Sequence, residues 1–332
     1  MNEADRRGFA VLAWVVVLLA LADLTADRLG LKYLQEVEWP TDLFTLQHLD
    51  RAAPRLGIVG SSRAHADLPP SGLAACGPAV AANRLTASLY TADIVARNLF
   101  AGEHAPETLI VEVSPEALAV RHFELDYNVA SVADISDVPE CVRAALGGPP
   151  RLASCARPFV RGVENAAFLL HRPWAEVAHL RWMALYFGGG QYCFDDPACE
   201  ARNRAYDDVH AGRWERRLQD VLPRVRTERF AGYAIEGGLP ARHLAALLAR
   251  SAEAGVRVVL VNLPVAEVYQ AEIPDEAYDA FLSFLATHAG SARLLDFNTP
   301  AWRSRRELFL DPDHLDAEGA RALTAGLCGA LG

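Results

Sequence analysis

The sequence predicts an α/β fold in which a parallel sheet has helices packed on both faces. Short apolar runs such as "RLGIVG" and "VRVVLVNLP" alternate along the chain with longer segments of helical spacing. These runs are continuously apolar, which is typical of strands buried on both faces. Strands that alternate with helices pair in parallel through crossover connections, so we expect a three-layer α/β/α sandwich.

The expected elements follow one another from residue 55 to the C-terminus. Each strand prediction rests on a short run of β-branched and other apolar residues, and each helix prediction on apolar residues three or four positions apart. Gly255 stands where the glycine that ends a helix is expected, and Pro264 marks the end of the next strand. The predicted strands cover 55–60, 107–115, 256–264 and 292–300, and the predicted helices cover 88–100, 240–255, 277–290 and 316–331.

Polar residues follow the carboxyl ends of the predicted strands. Residues 60–62 (Gly-Ser-Ser) follow the first strand, Ser114 the second, Asn262 the third and Asn298 the fourth. The carboxyl ends of parallel strands lie at one edge of the sheet, where open α/β folds bind their ligands. We therefore expect these residues to line one edge of the sheet.

The alternation of strands and helices is interrupted once. Residues 51–332 are long enough for one large domain, but between about 120 and 238 the pattern is lost. That stretch holds four of the six cysteines and a run of three glycines at 188–190. Because core strands bound it on both sides, we interpret it as an insertion of helices and loops over one end of the sheet. Long excursions of this kind often act as lids.

The N-terminal residues 1–28 predict a membrane anchor. Arg6 and Arg7 precede an uncharged run over 8–22, which is short for a bilayer span of about 20 residues although Leu24 extends it. Flanking arginines favour a cytoplasmic N-terminus, so the rest of the chain would face the periplasm or the cell exterior. A cleaved secretion signal ending at Ala-Leu-Ala (20–22) and a buried soluble helix are the alternatives. Residues 29–50 are predicted to form a connecting segment near the membrane.

The composition argues against nucleic acid and against a metal site. The formal net charge is -10, and no stripe of Lys and Arg with interleaved aromatic residues offers a surface for phosphates. The chain contains no Cys-x-x-Cys and no His pair with ligand spacing, so we expect no metal and no diffusible cofactor.

The six cysteines favour disulfide bonds. An even number of cysteines in an exported chain is typical of disulfide bonding, although the sequence leaves the connectivity open. Cys193 and Cys199 bracket a loop short enough to close as a local disulfide, and Cys141 and Cys155 bracket another of suitable length. The remaining two are Cys76 and Cys328.

The stretch "LFLDPDHLDAEGARAL", residues 308–323, supplies an acid and a base. Asp311 precedes His314 by three residues, and a predicted helix follows with Asp316 as its N-cap and Asp313 in the preceding turn. Serine is a weak nucleophile until an adjacent base takes its proton, and a carboxylate holds the imidazole in the required tautomer. We therefore expect Asp311 and His314 to serve a serine elsewhere in the chain.

The Gly-Ser-Ser block after the first strand and the "DPDHLDAEGA" block before the last helix resemble the first and last blocks of the SGNH (GDSL-like) hydrolase superfamily. The resemblance implies a flavodoxin-like sandwich, with Ser62 as nucleophile, His314 as base and Asp311 as acid. It places Ser61 in the position of the family's aspartate, where we expect it to pack or to cap the helix. The sequence is most similar to membrane-anchored extracytoplasmic members, namely D-alanyl transfer proteins of teichoic acid and O-acetyltransferase-like proteins of exopolysaccharide assembly.

The two middle blocks of the family are altered in this chain. The second block should supply a glycine for the oxyanion hole; here "AVAANRLTASLY" offers Asn83, or a backbone N–H near it, as the candidate donor, and the Ser62 N–H would have to contribute more. The third block should carry an asparagine, but "LIVEVSPEAL" has Glu112 and Ser114 instead. Arg63 is a candidate for holding an anionic group of the substrate or, equally, for pairing with a carboxylate at the edge of the core, and Glu112 is a candidate partner for Arg63 or Arg84. The remaining histidine near the nucleophile, His65, is expected to be solvated.

Two functions follow from these features. The first is an extracytoplasmic serine esterase or O-acyltransferase that acts on acyl esters of a cell-envelope glycan or exopolysaccharide. Its partners would be the acylated glycan or a small acyl ester, the membrane, and a membrane-bound acyltransferase. The alternative is a catalytically silent assembly protein that keeps the fold and binds a glycan or an acyltransferase.

Overall fold

The computed structural model describes residues 54–81, 89–100, 105–118, 192–194, 196–230 and 239–332, with a few isolated helical positions elsewhere. The predicted connecting segment 29–50 lies outside the described residues. Asn83, Cys141 and Cys155 also lie outside them, as does most of the predicted insertion.

A five-stranded parallel sheet forms the centre of the described fold. Its strands lie in the order β2-β1-β3-β4-β5, and every neighbouring pair is parallel. The first strand in the chain is therefore internal, as expected for a doubly wound sheet, and the order is compatible with a flavodoxin-like arrangement. The strands are β1 (Leu56–Val59), β2 (Ala79–Ala81), β3 (Thr108–Val113), β4 (Arg257–Asn262) and β5 (Arg293–Asp296).

Helices connect these strands close to the predicted positions. The α-helices are α1 (Ser62–Asp67), α2 (Leu89–Phe100), α3 (Ala198–Val209), α4 (Arg213–Asp220), α5 (Leu222–Arg224), α6 (Leu239–Glu253), α7 (Glu267–Gln270), α8 (Asp275–His288), α9 (Pro300–Arg303) and α10 (Ala317–Leu331). A π-helical turn spans Val225–Arg229, and 3₁₀ turns span Pro70–Cys76, Glu116–Leu118 and Arg306–Leu308. The four long helices predicted from spacing are confirmed as α2, α6, α8 and α10.

Both faces of the central strands are buried. Ile58 and Ile110 point to one face, where they join a cluster with Leu323 of α10. Val59 and Val111, which alternate with them, are also fully buried. The continuously apolar runs are thus explained by helices on both sides of the sheet, which confirms the prediction of a covered parallel sheet.

A short antiparallel pair was not predicted. Strands β6 (Phe309–Asp311) and β7 (His314–Leu315) pair with Asp311 opposite His314. Strands of three and two residues are too short to show an alternating pattern in the sequence, and for the same reason the sequence does not predict the three-residue strand β2. The consequence is that the acid and the base of the motif stand side by side.

The described part of the predicted insertion is helical and packs on the domain. Trp214 of α4 is buried in the same apolar cluster as the sheet residues. The guanidinium of Arg306 lies 3.3 Å from the centre of the Trp214 ring, a cation–π contact that fixes this helix from outside.

Two disulfides are present among the described residues. Cys193–Cys199 closes the local loop expected from the sequence. Cys76–Cys328 joins the 3₁₀ turn after α1 to the C-terminal helix across 252 positions of sequence. The second bond ties α10 to the part of the chain that follows α1.

Four positions of the predicted membrane segment are described. Trp14, Val17, Leu18 and Leu21 are helical, and their side chains are between 45% and 67% exposed. Within the described residues, no helix combines the length and the apolar character that crossing a membrane requires.

Two glycines of α10 offer a test of how tightly this helix packs behind the motif. A Cβ atom at Gly319 would overlap the carbonyl oxygen of Leu308 and lie 3.1 Å from Leu315 Cβ, whereas at Gly329 it would meet nothing within 4 Å. We expect Gly319→Ala to lower the free energy of unfolding by about 1–3 kcal/mol. Gly329→Ala should leave it unchanged or raise it by up to about 1 kcal/mol. Urea unfolding measures both, and equal effects would contradict the packing.

Candidate active site

Ser62 is the first residue of α1, directly after β1 and Gly60. Ser61 is the N-cap, and its side chain accepts a hydrogen bond from Arg63 N at 3.2 Å, as expected. A Cβ atom at residue 60 would lie 2.5 Å from Ala64 Cβ and 2.6 Å from Glu112 Oε2. The strand therefore ends in glycine because the turn passes directly over the Glu112 side chain.

The carboxylate of Glu112 holds the start of α1. It accepts hydrogen bonds from Ser61 N at 2.6 Å, Ser61 Oγ at 2.8 Å and Ala64 N at 3.3 Å. A negative charge at the start of a helix is favourable because the first N–H groups have no partner within the helix. Glu112 reaches this position from the end of β3, the neighbouring strand.

Ser62, His314 and Asp311 form one hydrogen-bonded chain. Ser62 Oγ lies 3.0 Å from His314 Nε2, and His314 Nδ1 lies 2.8 Å from Asp311 Oδ1. The serine and the histidine are 252 residues apart in sequence. Asp311 Oδ1 also accepts from Asp313 N at 3.0 Å, which fixes the carboxylate relative to the turn. The structure thus brings together the three residues that the sequence motifs singled out.

The carboxylates around His314 make it a stronger base. Burial acts to lower the pKa of His314, but Asp311 and Asp313 outweigh burial and raise the pKa to about 9. Asp313 Oδ1 lies 3.5 Å from His314 Nδ1, on the same side as Asp311. Because the folded-state pKa lies above the ordinary 6.5, this histidine contributes stability below pH 6.5 that is lost as the pH rises through 9.

Two arginines of α4 face the acid side of this chain. Arg213 Nε lies 2.5 Å from Asp311 Oδ2, and Arg217 Nε lies 3.5 Å from the same oxygen. Arg217 also contacts Asp313, with its Nη2 3.3 Å from Oδ1. No signal in the sequence distinguishes these arginines, because a charged helix such as "RWERRLQD" is most often a solvated surface.

Asp311, Asp313 and His314 are close enough to hold a cation in principle. One ligand atom from each lies within 4.8 Å of the other two. However, both carboxylates already face guanidinium groups, and His314 Nδ1 is directed at Asp311. A divalent cation at these oxygens would be repelled by Arg213 and Arg217, so the donor set fits a hydrogen-bonded triad better than a metal site.

Arg63 lies in the floor of the site. Its Nη2 is 2.7 Å from Glu116 Oε2, and its Nε is 3.3 Å from Glu112 Oε1, with 8% of the side chain exposed. Of the two roles considered for Arg63, the structure shows pairing with buried carboxylates. Glu116 is also paired with Arg229 at 2.8 Å and hydrogen-bonded by the hydroxyl of Tyr269.

Two further residues of α1 adjoin His314. Asp67 is fully buried, and its Oδ1 accepts from Leu315 N at 2.9 Å. Among the described residues its Oδ2 has no hydrogen-bond partner. Burial raises the pKa of Asp67 well above its usual range, although the charge of His314 and the Leu315 N–H act in the opposite direction. No signal in the sequence distinguished this aspartate from a surface residue of a short helix.

His65, which we expected to be solvated, is instead partly buried beside His314. Burial and the charge of His314 lower the pKa of His65 to about 3. It is therefore neutral at neutral pH and adds no second positive charge next to the base.

The oxyanion side of the site is described only in part. Asn83, the sequence candidate, lies outside the described residues. The first-turn N–H groups of Ser61, Arg63 and Ala64 are taken by side-chain oxygens, whereas within the described chain no hydrogen bond engages the Ser62 N–H. That N–H is therefore available to a ligand oxygen near Ser62 Oγ.

Other polar residues expected at this edge are engaged elsewhere. Ser114 Oγ accepts from Ala117 N at 3.2 Å. Asn262 donates to Asp296 at 2.9 Å, and Asn298 donates to the side chain of Gln270 at 2.8 Å. They fix the loops at the sheet edge and do not point to a second reacting group.

Comparison of the chain with protein-family models finds no match, and comparison with curated proteins also finds none. The resemblance to SGNH hydrolases therefore rests on the two sequence blocks quoted above and stays a hypothesis. What the site offers chemically is a serine hydroxyl on a helix start, an imidazole within hydrogen-bond distance of it, and a carboxylate behind the imidazole.

Asp67 provides a prediction about stability. In the unfolded chain an aspartate ionises above pH 4, but the buried Asp67 keeps its proton to a higher pH, so ionisation favours unfolding as the pH rises. Asn has the size of a protonated Asp and does not titrate. We therefore expect the free energy of unfolding of Asp67→Asn, relative to the wild type, to increase between pH 4 and pH 7. Urea unfolding at several pH values measures this difference, and exposed Asp279→Asn is the control that should show no trend.

Proposed function

We propose that this protein is an SGNH-type serine esterase or O-acyltransferase that acts outside the cytoplasm on acyl esters of a cell-envelope glycan or exopolysaccharide. The observation that carries the proposal is the continuous chain of hydrogen bonds from Ser62 through His314 to Asp311. The strand order of the sheet, compatible with a flavodoxin-like sandwich, supports the family assignment.

In the proposed reaction Ser62 Oγ attacks the ester carbonyl while His314 Nε2 takes its proton. Asp311 Oδ1 accepts the hydrogen bond from His314 Nδ1–H, which fixes the tautomer and stabilises the imidazolium that forms. The protonated His314 then gives its proton to the leaving alcohol, and the acyl group stays on Ser62. Water or a glycan hydroxyl, deprotonated by His314, releases the acyl group and restores the serine.

Charge develops on the carbonyl oxygen during this attack. The Ser62 N–H is the donor that the described residues offer for it, and it lies at the start of a helix, where N–H groups stabilise negative charge. Asn83 stays a proposed second donor.

The proposed location rests on two observations. The first is the arginine-flanked apolar segment within residues 1–28, which would anchor the chain in the membrane. The second is the pair of disulfides Cys193–Cys199 and Cys76–Cys328, since such bonds persist in oxidising compartments. With this placement the substrates available to Ser62 are esters of the envelope, and a membrane-bound acyltransferase is the proposed protein partner.

A catalytically silent binding protein is the second candidate. The observation that favours it is the end of β3, where the asparagine expected for the oxyanion hole is absent. Glu112 and Ser114 stand there instead, and both side chains are occupied by other contacts. In this case the protein would bind a glycan or a partner protein and would catalyse no reaction.

A fluorophosphonate probe distinguishes the two functions. We expect it to label the wild type and not Ser62→Ala, because phosphonylation needs the activated hydroxyl. Ser61→Ala is the matched control: it removes a helix cap worth about 1 kcal/mol but leaves the Ser62–His314 contact, so labelling should persist. The wild type and Ser61→Ala should also hydrolyse a p-nitrophenyl ester, and Ser62→Ala should not. Labelling of Ser62→Ala would reject Ser62 as the nucleophile, and a folded but unlabelled wild type would favour the silent protein.

The raised pKa of His314 predicts the pH dependence of the reaction. The base must be neutral, so the rate of ester hydrolysis should rise with pH until about pH 9. Asp313→Asn removes one of the two carboxylates that raise this pKa, and the rising limb should move to lower pH by roughly one unit. The kcat/KM profile from pH 5 to 10 measures both. A rising limb at the same pH in the variant would contradict this role of Asp313.

A further inference from the structure

The second oxygen of Asp311 is the least expected feature of the triad. Asp311 is 0% exposed, and its Oδ1 already accepts from His314 and from Asp313 N. Within the described residues Oδ2 has no hydrogen bond of good geometry, and the charged groups beside it are Arg213 and Arg217. Without those cations, a buried carboxylate oxygen would stand uncompensated.

We propose that Arg213 and Arg217 are positioning residues of the triad, which hold Asp311 and Asp313 in place and balance their charge. Helix α4, a described part of the predicted insertion, would then complete the active site and would not serve only as a cover. This inference rests on the proposed function of Ser62, His314 and Asp311.

The two arginines lie on one face of a single helix. Positions 213 and 217 are four residues apart on α4, so their side chains project in the same direction. That helix packs against β6, the strand that ends at Asp311. Trp214 is buried in the apolar core, and the guanidinium of Arg306 lies over its ring. These two contacts fix helix α4 against β6.

The two arginines differ in which carboxylates they contact. Arg213 faces Asp311, whereas Arg217 spans both, with 3.5 Å to Asp311 Oδ2 and 3.3 Å to Asp313 Oδ1. Two positive charges therefore oppose the two negative charges that stabilise the protonated form of His314. An arginine beside a carboxylate weakens its attraction for a proton on a neighbouring imidazole.

The protonation of His314 depends on every charged or titratable group that is packed around it. The β6–β7 turn contributes Asp311 and Asp313, and α4 contributes Arg213 and Arg217. Helix α1 contributes Ser62, His65 and Asp67; burial lowers the pKa of His65 to about 3 and raises the pKa of Asp67 well above its usual range, so burial favours the neutral form of both groups. Arg229 and Arg63 also attract the charge of Asp313 from outside the β6–β7 turn, whereas the arginines of α4 are the ones in direct contact with Asp311 and Asp313.

Removing an arginine of α4 should move the rising limb of the pH profile in the direction opposite to that expected for Asp313→Asn. Arg213→Gln removes a cation beside Asp311, so His314 should hold its proton more tightly, and the rising limb of the pH profile should move to higher pH. A displacement of one pH unit means about tenfold less neutral imidazole, and about tenfold less activity, at pH 7. Arg213→Lys keeps the charge and should restore much of the profile, and Arg217→Gln should act in the same direction as Arg213→Gln.

The experiment has two readouts on the full chain. One is the pH dependence of p-nitrophenyl ester hydrolysis from pH 5 to 10. The other is NMR titration of the His314 imidazole, assigned by comparison with His314→Gln, which needs no turnover. Arg216→Gln is the matched control, because Arg216 is an exposed residue of the same helix, and it should change neither readout. Urea unfolding of each variant shows whether it is folded.

The outcomes separate this inference from the proposed function. A His314 titration that moves to higher pH in folded Arg213→Gln, with recovery in Arg213→Lys, supports the positioning role. A titration that stays in place, or that moves to lower pH, overturns it. If the wild type hydrolyses no ester and takes up no fluorophosphonate, the proposed function fails, and the NMR titration still decides the role of the arginines. If Arg213→Gln does not fold, the comparison of Arg217→Gln with Arg216→Gln decides.

Discussion

Buried carboxylates are the constraint on which this site depends. Glu112, Glu116, Asp311 and Asp313 are 6%, 3%, 0% and 5% exposed. Removing a carboxylate from water is costly unless a cation and good hydrogen bonds replace the lost hydration. Each of the four has a cationic partner within 3.5 Å, and the partners are Arg63, Arg213, Arg217, Arg229 and His314.

The balance of charge links regions far apart in the chain. Arg213, Arg217 and Arg229 lie in the segment between β3 and β4, whereas the carboxylates belong to the sheet edge and to the turn before α10. One set of pairs holds the start of α1, which carries Ser62, and the other holds Asp311 behind His314. The Ser62–His314 contact lies between the two sets of pairs.

Particular elements show how far the sequence predicts this structure. The strands β1, β3 and β4 were predicted because they are apolar on both faces, and the helices α2, α6, α8 and α10 because their apolar residues recur at helical spacing. The strands β2, β6 and β7 were not predicted, because two or three residues show no period. In the site, Ser62, Asp311 and His314 were predicted from their motifs, whereas Asp67 and the arginines of α4 carry no motif.

The sequence by itself predicted the covered parallel sheet from its apolar runs, and it singled out Asp311 and His314 by their spacing and Ser62 through the resemblance of its two blocks to a known family. Only the tertiary structure decided that Ser62 meets His314 across 252 residues and that Arg63 pairs with Glu112 and Glu116. It also decided that Arg213 and Arg217 face the acid. The physical reason is that a charge finds its partner by proximity in three dimensions, and the local sequence around an arginine does not state which carboxylate the fold brings beside it.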